Sequence, residues 1–165
     1  GSPDQRLDAL GERAAHRGAA LLGAGKVAGF TVAGGQGTRL GYDGPKGTFP
    51  ISPVTGKTLF QLFAEMIQRA QEKYDSVIPW FIMTSPANDQ ATRDYFLENG
   101  YFGLSPEHVL FMVQGVLPAV GLDGKVLLSA PDSLALSPNG HGGSFPALRD
   151  SGSEAAVFWL PWKSM

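Results

Sequence analysis

The residues best suited to chemistry form one glycine-rich stretch with two basic side chains. It reads Ala33-Gly34-Gly35-Gln36-Gly37-Thr38-Arg39-Leu40-Gly41, and Pro45-Lys46-Gly47 follows closely. Glycine tolerates positive φ and lets a backbone approach a ligand without a Cβ in the way. The N–H groups of such a loop can form an anion-binding concavity, and Arg39 and Lys46 add two positive charges beside it. This stretch, residues 33–47, is the glycine loop, and it indicates a phosphate-bearing ligand.

Two common phosphate-binding patterns do not fit the glycine loop. A Walker A loop requires Gly-x4-Gly-Lys-Ser/Thr, whereas Lys46 is preceded by Pro45 and followed by Gly47. The dinucleotide fingerprint requires Gly-x-Gly-x-x-Gly, and Leu40 stands where its third glycine belongs. The loop therefore belongs to neither of these classes.

The complete string from Gly34 to Gly47 resembles the signature of the UDP-sugar pyrophosphorylases, Gly-Gly-x-Gly-Thr-Arg-Leu-Gly-x3-Pro-Lys-Gly. Three more segments look like the UDP-N-acetylglucosamine pyrophosphorylase branch of that family: Gly56–Gln61, Ile78–Ser85 and Leu117–Val120. The resemblance covers roughly residues 27–149. That branch usually carries Asn where this chain has His141, and Gly140-His141-Gly142 is more similar to the UDP-glucose pyrophosphorylases. The resemblance therefore leaves the identity of the sugar open.

Composition limits the other classes of function. The chain has 165 residues, of which 43% are hydrophobic and 17% charged, enough for one domain with a core. The formal net charge of −2 provides no broad basic field for nucleic acid. Cysteine is absent, which excludes disulfides and thiolate metal sites. No apolar run approaches the ~20 residues of a membrane span, and no secretory signal is recognisable. We expect a cytoplasmic protein without nucleic-acid or membrane partners.

Hydrophobic periodicity and capping residues predict alternating helices and strands. Helices are expected over residues 4–22, from Leu59 to near Tyr74, from a cap at Asn88 or Asp89 to Asn99, and from Phe145 to Arg149. Strands are expected over residues 27–32 (a buried strand), 78–83, 109–113 and 125–128. A second glycine loop, residues 137–143, precedes the last helix.

This alternation predicts an α/β fold with a Rossmann-like, doubly wound and mostly parallel sheet. Ligands of such sheets bind beyond the carboxyl ends of the strands. Because Gly34, Gln114 and the Gly140 loop all follow predicted strands, we expect them to converge on one crevice. The resemblance implies a nucleotidyltransferase-type fold that is truncated. It divides the chain into a helical segment (1–26), the nucleotide-binding part of a catalytic domain (27–150) and a tail that does not match the family (151–165).

The resemblance also implies a reaction, in which UTP and a sugar 1-phosphate give a UDP-sugar and pyrophosphate. The attacking phosphate oxygen is already ionised, so catalysis must mainly position the groups and neutralise their charge. Arg39 and Lys46 are the candidate catalytic residues. The candidate nucleotide-binding residues are Gly34, Gly35, Gly37, Thr38, Gln114, Gly140 and His141. The Gln114 carboxamide can both donate to and accept from uracil.

Mg²⁺ is the implied cofactor, and its main ligand, the Asp of a Val-Asp-Asn segment, is expected downstream of this chain. No metal ligand is therefore assigned within it, and the chain alone is expected to be inactive.

Alternatives remain open at each position. Arg39 and Lys46 could be solvated loop cations, Gln114 a polar residue that ends a strand, and the chain a uridine-nucleotide-binding module without turnover.

Overall fold

Helices and strands alternate along the first part of the chain. The computed structural model describes residues 3–150. In chain order they form α1 (Pro3–Gly23), β1 (Gly29–Val32), α2 (Leu59–Tyr74), β2 (Trp80–Thr84), α3 (Asp89–Glu98), β3 (Val109–Val113), β4 (Val116–Pro118), β5 (Leu128–Ala130), β6 (Ser133–Leu134), β7 (Leu136–Pro138) and α4 (Ser144–Asp150). The predicted helices are confirmed. The strand predicted over 125–128 is wrong, since Val126 forms only an isolated bridge to Val120 and pairing with β6 begins at Leu128.

Strands β1, β2 and β3 form a parallel sheet in that order. Gly29 pairs with Trp80 in register, and Trp80 pairs with Val109. Parallel neighbours require crossover connections, which α2 and α3 supply. Side chains of α2 and α3 pack on one face of the sheet, and Ala147 and Leu148 of α4 pack on the other. The predicted doubly wound α/β class is confirmed, and the three strands end at the same edge.

The core lies on both faces of the central strand β2, whose five residues are all buried. Trp80 and Ile82 face a cluster that includes Phe60 and Phe96. The ring centroid of Phe96 lies 5.0 Å from that of Phe60 and 5.2 Å from that of Phe111, in edge-to-face arrangements. Such pairs add to the free energy gained by apolar burial. Burial on both faces explains why β2 reads as a continuous apolar run rather than an alternating one.

The prediction that the first strand is buried is wrong for β1. This strand pairs only with β2, and three of its four residues are half-buried while Val32 is 42% exposed. An open groove of ≈ 810 Å³ runs between β1 and α2. Met66, on the predicted apolar face of α2, lines this groove and is 65% exposed. β1 is more exposed than predicted because it lies at the edge of the sheet, and hydrophobic periodicity does not specify the position of a strand in the sheet.

Helix α1 packs on the rest of the fold near its carboxyl end. Residues 8–17 are exposed, and the Ser76 hydroxyl donates to the Leu22 carbonyl at 2.6 Å. The expected role of α1, covering an edge of the core, is therefore limited to its last turns. Within residues 3–150, no helix is both long enough and apolar enough to cross a lipid bilayer.

The side chain of Phe96 provides a test of the core. Phe96 is 0% exposed, whereas its neighbour Leu97 is 68% exposed. Phe96→Ala should lower the free energy of unfolding by about 3–5 kcal/mol, because it leaves a cavity among packed rings. Leu97→Ala, the matched control, should change it by less than about 0.5 kcal/mol. Urea denaturation of both variants measures the difference, and equal effects would contradict this description of the core.

Candidate functional site

The glycine loop folds back on itself at the carboxyl end of β1. The Gly37 N–H donates to the Gly44 carbonyl at 2.8 Å, and the Lys46 N–H donates to the Gly35 carbonyl at 3.0 Å. Between these bonds, Thr38–Leu40 forms a single helical turn. The basic residue Lys46 therefore lies directly opposite Gly35, while Arg39 lies in the turn at the far end of the loop.

Close packing, rather than backbone conformation, explains the first glycines of the loop. Gly34, Gly35 and Gly37 are not among the residues with positive φ, so the expectation based on positive φ is wrong for them. A Cβ on Gly34 would lie 2.5 Å from Gln114 Oε1, and one on Gly37 would lie 2.7 Å from Tyr42 Cδ1. A Cβ on Gly35 would meet no heavy atom within 4 Å. Gly35 thus faces open space, where a ligand can approach the backbone.

A buried side-chain amide attaches the loop to the sheet. Asn88 is 1% exposed. Its Nδ2 donates to the carbonyls of Ala33 at 2.9 Å and Gly35 at 3.3 Å. Its Oδ1 accepts from the Ser85 N–H at 2.9 Å and the Ser85 hydroxyl at 3.0 Å. The sequence indicates only a helix cap here, and Asn88 does occupy the N-cap position of α3, but its side chain makes no capping hydrogen bond.

The open side of the loop presents unpaired donors and positive charge. The backbone N–H groups of Gly34, Gly35 and Gln36 have no hydrogen-bond acceptor within residues 3–150. Arg39 and Lys46 are exposed, and neither forms an ion pair with a described residue. Successive free amides and nearby cations are the groups that an anionic ligand requires.

Gln114 lies against the glycine loop from the neighbouring strand end. Its backbone N–H donates to the Thr84 carbonyl at 2.8 Å, and its side chain is adjacent to Gly34. The residue is only 6% exposed, yet its carboxamide makes no hydrogen bond to any described residue. A carboxamide that has no partner among the described residues is suited to bind a ligand group that both donates and accepts.

The second glycine loop returns to the same edge through the antiparallel pair β4 and β7. Val116 pairs with Pro138, and the Asn139 N–H donates to the Gly115 carbonyl at 3.0 Å. Gly140 follows with φ of 73°, a conformation that favours glycine. The loop therefore lies beside the residue that follows Gln114, as the sequence predicts. The sequence does not single out Asn139, whose buried Oδ1 has no hydrogen-bond partner among the described residues.

The structure brings together only part of the predicted set. Gly34 and Gln114 are in contact, and Gly35 and Lys46 are hydrogen-bonded through their backbones. Thr38 and Arg39 are exposed in the turn, without a hydrogen bond to Gln114 or to the second loop. The side chain of His141 lies outside the described part of the chain. The binding and catalytic roles of all nine residues stay predictions.

Among the residues that the structure describes, no group of three or more His, Asp or Glu side chains could hold a metal ion. These residues do not fit the implied Mg²⁺ as a complete protein site.

Fold and site together define an α/β protein with a glycine-rich loop at the carboxyl edge of a parallel sheet. The family model described as UTP–glucose-1-phosphate uridylyltransferase matches residues 5–156. The chain belongs to this family, the UDP-sugar pyrophosphorylases. The proposed division into residues 1–26, 27–150 and 151–165 stays a prediction.

Individual relatives carry more specific names. UDP-N-acetylglucosamine diphosphorylase 1 of Arabidopsis thaliana is 45% identical over 137 residues, which cover 77% of this chain and 27% of that protein. The UDP-N-acetylglucosamine pyrophosphorylase of Saccharomyces cerevisiae is 45% identical over 134 residues, covering 79% and 28%. The crystal structure of the Trypanosoma brucei UDP-N-acetylglucosamine pyrophosphorylase with an inhibitor aligns with a TM-score of 0.78 at 33% identity, covering 89% and 30%. The chain thus spans less than a third of each of these relatives.

The contact between Gly34 and Gln114 can be tested without a ligand. Gly34→Ala should displace the Gln114 carboxamide, because the added Cβ would lie 2.5 Å from its Oε1 and 3.3 Å from Ser85 Cβ. Such overpacking costs about 1–3 kcal/mol. The matched control Gly35→Ala adds the same methyl group in open space. Thermal unfolding and the NMR signals of the Gln114 side-chain amide should change for the first variant only; equal changes in both would refute the contact.

Proposed function

We propose that this chain forms the nucleotide-binding part of a uridylyltransferase that converts UTP and a sugar 1-phosphate into a UDP-sugar and pyrophosphate. The observation that carries the proposal is the row of three N–H groups, at Gly34, Gly35 and Gln36, that have no acceptor among the described residues. Lys46 lies beside this row and Arg39 lies in the turn at the far end of the loop, and neither forms an ion pair with a described residue. Membership of the family and the names of the relatives support the same reaction.

The triphosphate of UTP would lie against the glycine loop. Its oxygens are acceptors, which match the free amides, and its negative charge matches Arg39 and Lys46. The Lys46 N–H donates to the Gly35 carbonyl at 3.0 Å. The Lys46 side chain therefore extends from a backbone position next to these amides. Neutralising the phosphates lowers the repulsion between UTP and the incoming sugar 1-phosphate and stabilises charge on the leaving pyrophosphate. No general base is required, because the attacking oxygen is already ionised.

The uracil base would bind at Gln114. Uracil presents an N–H between two carbonyl groups, and the Gln114 carboxamide offers both an acceptor and donors. Its lack of a hydrogen-bond partner among the described residues and its position against Gly34 support this role. Gly140 and the exposed face of Gly35 leave room for the base and ribose, and His141 is the candidate for contact with the nucleotide or the sugar phosphate.

N-acetylglucosamine 1-phosphate is the proposed acceptor. The relatives at 45% identity are named for UDP-N-acetylglucosamine, whereas the family description names glucose 1-phosphate. The His141 position, which resembles the UDP-glucose branch, makes glucose 1-phosphate the alternative.

A uridine-nucleotide-binding module without turnover is the second candidate, favoured by the lack of a metal-binding cluster within residues 3–150. Mg²⁺ remains the proposed cofactor, with its main protein ligand outside this chain.

Phosphate recognition predicts a difference between two ligands. Arg39→Ala and Lys46→Ala should each weaken UTP binding about ten- to a hundredfold, since a hydrogen bond to a charged group contributes about 1.5–3 kcal/mol. Binding of uridine, which has no phosphate, should change little. Lys26→Ala is the charge-matched control, because Lys26 precedes β1 and lies at the opposite edge of the sheet. Calorimetry measures all the affinities, and an equal loss for UTP and uridine would show a structural role instead.

Turnover tests whether this chain carries the whole catalytic machinery or only its nucleotide-binding part. With Mg²⁺, UTP and N-acetylglucosamine 1-phosphate or glucose 1-phosphate, the 165-residue chain should bind UTP yet release almost no pyrophosphate. Two cations cannot neutralise a triphosphate and a second phosphate dianion, and a bound metal ion normally supplies the missing charge. A full-length curated relative, assayed in parallel, should release pyrophosphate readily. Comparable rates from the two proteins would contradict the assignment of the metal ligand to a region beyond this chain.

A further inference from the structure

Asn88 uses its hydrogen-bonding capacity entirely within the protein. A carboxamide has two N–H donors and one carbonyl acceptor. Both donors are directed to the carbonyls of Ala33 and Gly35, and the acceptor receives the N–H and hydroxyl of Ser85. These partners fix the orientation of the amide, because its nitrogen faces only acceptors. With 1% exposure, the side chain cannot contact a ligand and can act only through the loop.

The backbone of Asn88 is equally fixed. Its N–H donates to the Ser85 carbonyl at 3.0 Å, and its carbonyl accepts from the Thr92 N–H at 3.0 Å and the Thr92 hydroxyl at 2.7 Å. Thr92 is itself 0% exposed. The amide is therefore a rigid extension of the first turn of α3, and it reaches across 53 to 55 residues of sequence to the loop.

The direction of two free donors follows from these bonds. In a trans peptide unit the N–H points opposite to the C=O. Because Asn88 holds the Ala33 carbonyl inward, the N–H of Gly34 points away from α3. The Gly35 carbonyl is held by Asn88 and by the Lys46 N–H, so the N–H of Gln36 also points away. These are two of the three donors that have no acceptor among the described residues.

We infer that Asn88 is a positioning residue for phosphate recognition: it clamps the Ala33 and Gly35 carbonyls so that the Gly34 and Gln36 amides face the ligand. The inference rests on the proposed function, since it assigns Asn88 to the phosphate part of that site. Without the clamp, the Ala33 carbonyl loses its Asn88 donor and the Gly35 carbonyl keeps only the bond from the Lys46 N–H. The two peptide units are then less restricted, and binding the triphosphate must supply the missing restriction.

Asn88→Asp at pH 8 removes the clamp with little change in shape. One carboxylate oxygen still accepts from Ser85, while the other faces two carbonyl oxygens without a proton to donate. Affinity for UTP should fall about tenfold or more, and affinity for uridine should stay within about twofold, because Gln114 is untouched. Asn99→Asp is the matched control at the other end of α3, where the exposed Asn99 Nδ2 donates to the Tyr95 carbonyl at 2.8 Å; it should leave both affinities unchanged.

Hydrogen exchange in the ligand-free chain tests the clamp separately from the proposed function. Asn88→Asp should shift the resonances of the Gly34 and Gln36 amides and accelerate exchange at Lys46, whose N–H donates to the Gly35 carbonyl, while amides within β2 stay as protected as in the parent chain. If Asn88→Asp does not fold, Asn88→Ser, which keeps one hydroxyl donor, is measured in the same way and should show a smaller loss for UTP. An equal loss for UTP and uridine, or unchanged loop amides, would overturn the inference. Failure of the parent chain to bind UTP would instead overturn the proposed function, and the exchange data would still decide whether Asn88 clamps the loop.

Discussion

Apolar side chains cover both faces of the central strand β2, and this burial determines where everything else in the fold can lie. Trp80 and Ile82 pack against α2 and α3, while Phe81 and Met83 pack towards α4. Burial of each large apolar side chain contributes about 1.5–3 kcal/mol to the free energy of folding. Exposure of β2 to solvent would therefore be strongly unfavourable. Because β1 and β3 run parallel to it, the segments that follow all three strands emerge at one edge.

At that edge the loops combine satisfied and unsatisfied polar groups. The inner side of the glycine loop is closed by hydrogen bonds: Asn88 holds two carbonyls, and the Tyr42 and Thr48 hydroxyls are 2.8 Å apart. Backbone groups enclosed in a protein are nearly always paired in this way. On the outer side, the Gly34, Gly35 and Gln36 amides have no acceptor in the part of the chain that the structure describes. One side of the loop is therefore rigidly attached, and the other is left available to an anion.

Much of this arrangement could be predicted from the sequence, since apolar periodicity is local. The bounds of α2 and β3 follow from such patterns, and the glycine loop with Arg39 and Lys46 is recognisable by its composition. The contributions of Asn88 and Asn139 could not be predicted. Asparagine before a helix normally acts as a cap, and no local signal reveals a partner more than 50 residues away.

The differences between prediction and structure arise from contacts between segments that are distant in the sequence. The exposure of β1 depends on its position at the sheet edge, which its apolar sequence does not specify. The requirement for glycine at position 34 also comes from tertiary packing, since the Gln114 side chain occupies the space that a Cβ on residue 34 would need. The strand predicted over 125–128 shows that β-propensity alone does not locate a strand, because the available pairing partners decide which exposed residues form β-ladder hydrogen bonds.

We propose that phosphates bind the backbone amides on the open side of the glycine loop while the base binds Gln114. An NMR titration of the ¹⁵N-labelled chain with UTP tests this most directly. The largest shifts are expected at the backbone amides of Gly34, Gly35 and Gln36 and at the side-chain amide of Gln114. Shifts concentrated in the apolar groove between β1 and α2, or spread evenly over the sheet with none at the loop, would contradict it.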